Sequence, residues 1–352
     1  MHIDDIDTPA VVIDLAKVET NLQKAQDYSE AHALPLRPHV KTHKLPRFAL
    51  AQMALGAIGI TAQKLGEAEA MANGGLSDIF LPYNILGAAK LDRLFALNYR
   101  VTLSVTADSL VTISGYANRF SDPQHPLVVL IECDTGADRC GVQTADEALI
   151  LARAIAAAKG LKFGGLMTYP ARGGLARTEA WLITAIDILT RNGLAPPVVS
   201  SGGTPDFKQA TTVTTATEHR PGTYIYNDRM QVAWGHCTLD DCALTVLATV
   251  VSRPTSDRAV LDSGSKALAA DQCPSPGYGH ILLYPDAVIS GLSEEHAVVD
   301  LSACATRPEI GDRVRVIPNH ACVVSNLYDV VHLMRDDQVD EIAAITSRGK
   351  LT

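Results

Sequence analysis

The residues able to do chemistry fall into a few short segments. The first is Arg37-Pro38-His39-Val40-Lys41-Thr42-His43-Lys44. A lysine at the inner end of a β-strand, among apolar residues, is partly desolvated. Desolvation disfavours the ammonium form and leaves an amine suited to forming a Schiff base. Lys41 fits that description; the alternative is a solvated loop lysine, with Lys44 as the similar case, and the segment alone leaves both open. Ser201-Gly202-Gly203-Thr204 offers backbone N–H groups with little side chain in the way, a nest for phosphate. Pro221-Gly222-Thr223-Tyr224 could form a second wall, although a Gly-Gly pair alone is most often an ordinary turn. Pro318-Asn319-His320-Ala321-Cys322 follows an expected strand at 313–317. Residues i and i+2 of an extended segment point the same way, so His320 and Cys322 can bind one metal ion and leave positions open for water or substrate. The thiolate favours a softer ion, Zn²⁺ over Mg²⁺. A buried histidine and a free core cysteine is the competing reading. Glu295-His296 is a further acidic–imidazole pair, either support for that site or a surface loop.

Apolar runs at 10–13, 36–40, 58–61, 78–81, 100–105, 127–132, 163–167 and 198–200 alternate with amphipathic helical patterns at 15–31, 64–72, 88–97 and 177–192. The helix after the eighth run is the weakest, because Thr-rich sequence follows Pro205. Strand–helix alternation argues for a parallel sheet, and eight units argue for one that closes as a (β/α)₈ TIM-type barrel. Chemistry in such barrels collects where strands end, and the loops after strands 7 and 8 are the usual phosphate site. Lys41 ends the second run. Gln63 and Lys64 follow the third, Glu132 through Arg139 follow the sixth, Tyr169 follows the seventh, and Ser201–Thr204 follow the eighth. After residue 234 the pattern changes to strands at 243–252, 259–262, 279–284, 296–301, 313–317 and 330–334 with Gly, Pro and Asp between them. The expected organisation is therefore a barrel domain over 1–234 and a mostly antiparallel β domain over 235–352 carrying the metal pair.

The composition fits this. Of 352 residues, 47% are hydrophobic and 20% charged, the profile of a packed globular protein. A net charge of −9 argues against a nucleic-acid surface. No apolar run approaches the roughly 18 residues that span a membrane. The seven cysteines are scattered, with no Cys-x-x-Cys, and the acidic N-terminus carries no signal-like segment, so a reducing cytoplasm is expected.

Taken together, Asp7-Thr8-Pro9-Ala10, the Arg37–Lys44 segment, Gln63-Lys64, Glu67-Ala68, Arg139-Cys140-Gly141-Val142, the two glycine turns, Pro318–Cys322 and Ser347-Arg348-Gly349 resemble the D-threonine aldolase and D-serine dehydratase family. These are fold-type III pyridoxal-phosphate enzymes with an alanine-racemase-like barrel. The resemblance spans nearly the whole chain. It implies that Lys41 carries the cofactor, and that Gln63, Arg139 and Tyr169 contact its ring or phenolic oxygen. Ser201, Gly202, Gly203, Thr204, Gly222, Thr223 and Tyr224 would surround the phosphate, and His320 and Cys322 would hold a divalent metal, Zn or Mn, facing the substrate β-hydroxyl. It also implies a head-to-tail homodimer acting on small D-3-hydroxy amino acids.

Two departures bear on the reaction. Aldolases of this family typically carry a histidine directly after the tyrosine matching Tyr169, and here that position is Pro170. The second metal ligand is often Asp in aldolases and Cys in dehydratases, and here it is Cys322. Against that, Ser325-Asn326-Leu327-Tyr328-Asp329 and the C-terminal ending look aldolase-like. The expected function is thus a metal-dependent D-threonine aldolase-like lyase giving glycine and an aldehyde. Dehydration of D-serine or D-3-hydroxyaspartate is the alternative, and an amino-acid racemase or a non-catalytic cofactor-binding protein stands further off. His39, His43 and metal-bound hydroxide are the candidate bases.

Overall fold

The computed structural model describes residues 1–352. In chain order the strands are β1 (Ala10–Asp14), β2 (Ile60–Thr61), β3 (Asp78–Leu81), β4 (Thr102–Ala107), β5 (Leu127–Cys133), β6 (Leu161–Thr168), β7 (Val198–Ser201), β8 (Glu218–His219), β9 (Leu244–Thr255), β10 (Arg258–Leu261), β11 (Gly279–Ile281), β12 (Val288–Leu292), β13 (Ala297–Asp300), β14 (Arg313–Pro318), β15 (Val330–Arg335) and β16 (Gln338–Ala344). The chain divides into two compact units. One comprises 25–41, 45–222 and 350–352; the other comprises 1–24, 42–44 and 223–349. The division near residue 222 lies a dozen residues before the expected boundary at 234. The N-terminal segment belongs with the β unit rather than the barrel. No helix is long and apolar enough to cross a membrane.

The first unit is a parallel sheet in the order β2-β3-β4-β5-β6-β7-β8. Its two edges are joined by the segment 36–39: Leu36 bridges His219 and His39 bridges Thr61, both in parallel. Arg37 N–H donates to the His219 carbonyl (2.9 Å), and Val40 N–H donates to the Thr61 carbonyl (2.9 Å). Pro35 and Pro38 have no N–H to give, which is why this closing strand is a pair of bridges rather than a continuous ladder. Helices Pro46–Leu55, Leu65–Asn73, Ala88–Asn98, Leu110–Arg119, Ala145–Ala157 and Leu175–Arg191 cover the outside. The last crossover is only a 3₁₀ turn, Thr204–Thr212, kinked at Asp206.

Strand alternation sorts the side chains. Ile79, Leu81, Val129, Ile131 and Leu166 face outward into the core shared with Leu94, Ile113, Leu151 and Leu182. Phe80, Leu130 and Met167 form a separate inner cluster. Glu132, two residues beyond Leu130, and Ser200, which pairs with both Met167 and Glu218, continue that inner face. The inside of the barrel is therefore apolar at one level and ionic at the next.

Two assignments are corrected. The run at 10–13, expected as the first barrel strand, is β1 of the other sheet, where it pairs antiparallel with β9 and parallel with β15. Val11, Val12 and Ile13 are fully buried, and a strand buried on both faces reads as the same apolar run in either sheet. The eighth barrel strand is instead Glu218–His219, two polar residues with no hydrophobic signature.

The second unit is a nine-stranded sheet, β12-β13-β10-β9-β1-β15-β16, with β14 on β9 and β11 on β14. Two of its strands escape the sequence pattern. β12 carries Gly291 at a register shift, and β16 is an edge strand with acidic Asp340 and Glu341. The Thr8 hydroxyl donates to Asp262 (2.6 Å), which gives the Asp7–Ala10 motif a structural task in this unit.

Candidate active site

Val40 is fully buried and Lys41 half-buried where the closing strand turns out of the barrel. The Lys41 N–H donates to His39 Nδ1 (3.4 Å), and His39 Nε2 lies 3.0 Å from Gln63 Oε1. Because Nδ1 accepts, Nε2 carries the proton and donates to Gln63. Both nitrogens of a neutral His39 are thus engaged. It ties the Lys41 backbone to the Gln63 side chain. His43, the other histidine expected to serve as a base, is fully buried. Lys44, read from sequence as the solvated case, is also corrected: it is 5% exposed, and its ammonium lies 3.5 Å from the Ser347 carbonyl.

The Gly202-Gly203 turn is forced. Gly202 has φ +106°, and a Cβ there would lie 1.9 Å from His219 Nδ1; one on Gly203 would lie 2.6 Å from the Tyr169 ring. Any side chain at either position would displace an aromatic ring, so the backbone amides stay bare. Ser201, Gly202, Gly203, Tyr169 and His219 line a small cavity together with Pro170 and Asp206. His219 Nε2 is buried there without a hydrogen-bond partner. Burial pushes this imidazole down to about 3, so it is neutral. An orphaned buried nitrogen beside bare glycine amides fits a phosphate-bearing ligand. Gly222 N–H donates to the Thr204 hydroxyl (3.0 Å), joining the two glycine turns. The exposed Arg139 holds its guanidinium 4.9 Å from the Tyr169 ring centroid.

Sequence reasoning missed the ionic interior of the barrel. Arg37 pairs with Asp78 and, through Nε, with Glu218 (2.8 Å). Glu218 also accepts from the Ser200 hydroxyl, and Arg220 donates to Ser200 Oγ (2.5 Å) and to the Thr168 carbonyl (2.8 Å). Arg220 is 4% exposed; burial pulls its guanidinium down to about 10, against the pull of Glu218 and Glu132. It remains a cation at neutral pH. The available signal was its place immediately before Pro221-Gly222.

Burial pushes the Glu132 carboxyl up to about 7, with Asp108 and Asp134 adding to the shift and Arg139 and Arg220 opposing it. The folded state therefore holds this proton more tightly than the unfolded chain. The resulting stability is present in full below pH 4.5, the ordinary value, and is lost as pH rises through about 7. Chemical denaturation of wild type and Glu132→Gln across pH 4.5 to 7.5 should show their stability difference drifting by roughly 2–3 kcal/mol against wild type. Parallel curves would refute the assignment.

In the β unit, His320 and Cys322 do come together, but not as alternate residues of a strand. β14 ends at Pro318, His320 caps the one-turn helix Ala321–Val324, and Cys322 lies in its first turn. The fully buried Asp228 imposes that turn by accepting from Ala321 N–H (3.0 Å). His320 hydrogen-bonds Cys322, whose sulfur also lies 3.1 Å from the Thr42 hydroxyl and 3.6 Å from that of Thr223. Both hydroxyls can donate to sulfur, which suits a thiolate. Thr42 follows Lys41 in the chain. No group of three or more His, Cys, Asp or Glu is arranged to hold a metal, so an ion on this pair would keep an open coordination sphere. Tyr224 is buried in this unit. Glu295 belongs to the surface instead, paired with Lys266 (2.7 Å) beside the His296 turn.

Comparison with known proteins bears on both units. Residues 13–230 match the alanine racemase N-terminal domain model, and residues 243–334 match a serine dehydratase domain model. The chain is similar to the D-threonine aldolase of Arthrobacter sp., 34% identical over 98% of this chain and 93% of that one. Its fold superposes on the crystal structure of D-threonine aldolase from Filomicrobium marinum with a TM-score of 0.92 at 30% identity, covering 99% and 97% of the two chains. It superposes equally fully, 98% of each chain, on a cysteine-to-alanine mutant of D-threo-3-hydroxyaspartate dehydratase in the metal-free form, with a TM-score of 0.89 at 30% identity.

Proposed function

Because the chain belongs to the family of D-threonine aldolases and D-3-hydroxyaspartate dehydratases built on the alanine racemase N-terminal domain, we propose that it is a lyase dependent on pyridoxal phosphate and a divalent metal, cleaving D-3-hydroxy amino acids to glycine and an aldehyde. The observation that carries the metal-dependent reading is the His320–Cys322 pair. A racemase or a cofactor carrier on the same barrel has no use for a metal, whereas a lyase acting at a β-hydroxyl does.

When bound, pyridoxal phosphate supplies an electron sink for Cα and the divalent ion a Lewis acid for the β-oxygen. Lys41 would hold the cofactor aldehyde, with Gln63 held by His39 nearby. The Ser201–Thr204 and Gly222 turns would take the phosphate on bare amides, Thr223 and Tyr224 would add to its contacts, and Tyr169 and Arg139 would contact the ring. His320 and Cys322 would hold the ion. In the cleavage, the β-hydroxyl gives up its proton, the Cα–Cβ bond breaks, the aldehyde departs, and Cα takes up a proton to become glycine. Pro170 takes the place of a histidine after Tyr169, His39 is hydrogen-bonded through both ring nitrogens and His43 is fully buried, so a base other than these side chains would take the hydroxyl proton. Loose selectivity at Cβ is therefore expected, alongside strict D configuration at Cα.

A second reading, dehydration of D-serine or D-3-hydroxyaspartate, is favoured by Cys322 as the second ligand. A homodimer and a cytoplasmic setting complete the proposal; the latter draws on seven cysteines that are all unpaired. The test is turnover of D- and L-threonine with pyridoxal phosphate and Mn²⁺ or Zn²⁺. Consumption of the D isomer alone is expected. His320→Ala and Cys322→Ala should each lower it at least about 100-fold and remove its metal dependence, with cofactor absorbance intact. Full activity after chelation would exclude the metal.

A further inference from the structure

The metal pair has a neighbour that neither motif nor spacing announces. Asp271 Oδ2 lies 2.5 Å from His320 Nδ1. The two are 49 residues apart, and Asp271 sits in the irregular stretch between the helix Ser265–Leu268 and β11. It is not there by chance of a mobile loop. Asn319, the residue before His320, donates from its Nδ2 to the Asp271 carbonyl (2.9 Å) and to the Gly277 carbonyl (2.9 Å). Arg229 donates to Asn319 Oδ1 (3.1 Å), to the Gly277 carbonyl (3.2 Å) and to the Pro276 carbonyl (2.5 Å). Asn319 is 1% exposed, so its side chain is shielded from water at the centre of these ties. The same two-residue step that carries the imidazole therefore also fastens the loop that brings the carboxylate to it.

We propose that Asp271 is a positioning residue for the metal: its carboxylate accepts the Nδ1–H of His320, fixes the ring and tautomer, and leaves Nε2 as the nitrogen that binds the ion. A carboxylate behind a metal-bound imidazole raises the basicity of the ligand and removes the rotational freedom that binding would otherwise have to quench. This matters more here than in a closed site, because only two protein ligands hold the ion. The proposal rests on the reading of His320 and Cys322 as metal ligands.

The test is titration of the cofactor-loaded protein with Co²⁺, followed by its visible d–d bands, in wild type, Asp271→Asn, Asp271→Ala and His320→Ala. The asparagine variant keeps the backbone carbonyl that Asn319 holds, so the loop stays fastened while the charge is removed. Expected is a 10- to 100-fold weaker Co²⁺ affinity for Asp271→Asn, at least as much loss for Asp271→Ala, band positions like wild type, and recovery of turnover at saturating metal. Co²⁺ affinity of Asp271→Asn equal to wild type, in a protein whose His320→Ala variant has lost the bands, would overturn the role of Asp271 alone. Bands that survive His320→Ala would overturn the metal reading itself, and this proposal with it.

Discussion

Lys41→Ala is expected to abolish the visible absorbance of the bound cofactor and to lower turnover of D-threonine by at least about 1,000-fold. The expectation follows from where the neighbouring lysine stands. Lys41 is half-buried at the end of the closing strand, behind the fully buried Val40, with its backbone N–H held by His39. Lys44 is three residues on, yet its ammonium is buried against the Ser347 carbonyl, and Ser347 N–H returns a bond to the Lys44 carbonyl (3.3 Å). It is committed to holding the C-terminal Ser347-Arg348-Gly349 segment and is no substitute for Lys41. Lys44→Ala should cost stability and leave the absorbance in place. Borohydride reduction followed by peptide mapping reads this directly: the adduct belongs on Lys41. An adduct on any other lysine would contradict the assignment.

Glu218→Ala should destabilise the folded protein by about 3–5 kcal/mol, the usual penalty for removing one partner of a buried charge pair. Glu218 is 3% exposed and joins two cations, Arg37 through a direct ion pair and Arg220 through the Ser200 hydroxyl. Without it Arg37 keeps only Asp78, and Arg220 keeps Glu132 as its nearby carboxylate. Glu218→Gln preserves the shape and one acceptor, and should cost about half as much. Urea denaturation of the three proteins at pH 7 checks the order. A loss under about 0.5 kcal/mol for the alanine variant would mean that the network carries no stability.

Those two residues differ in how far the sequence reveals them. Lys41 stands in a run of distinctive residue types at a strand end, so pattern and chemistry point to the same place. Glu218 stands in a two-residue strand of polar residues, where periodicity has nothing to register. The same contrast runs through the fold. The amphipathic helices and the interior strands of the barrel were legible because one face of each meets apolar neighbours over many residues. The swap of the run at 10–13 into the β sheet was not, because pairing partners far away in the chain decide which sheet a doubly buried strand joins. His320 and Cys322 were legible as residue types, while their geometry was not. A cap and a first helical turn bring His320 and Cys322 together, under the control of Asp228 from another segment. Asp271 and Arg220 act through long-range contacts that no local spacing encodes. A histidine's availability as a base likewise depends on which of its nitrogens its neighbours have already taken.

The most direct measurement of the account is the identity of the products formed from D-threonine by the protein loaded with pyridoxal phosphate and Mn²⁺ or Zn²⁺. Glycine and acetaldehyde in equal amounts are the predicted outcome. 2-Oxobutanoate and ammonia would contradict it and assign the chain to the dehydratases.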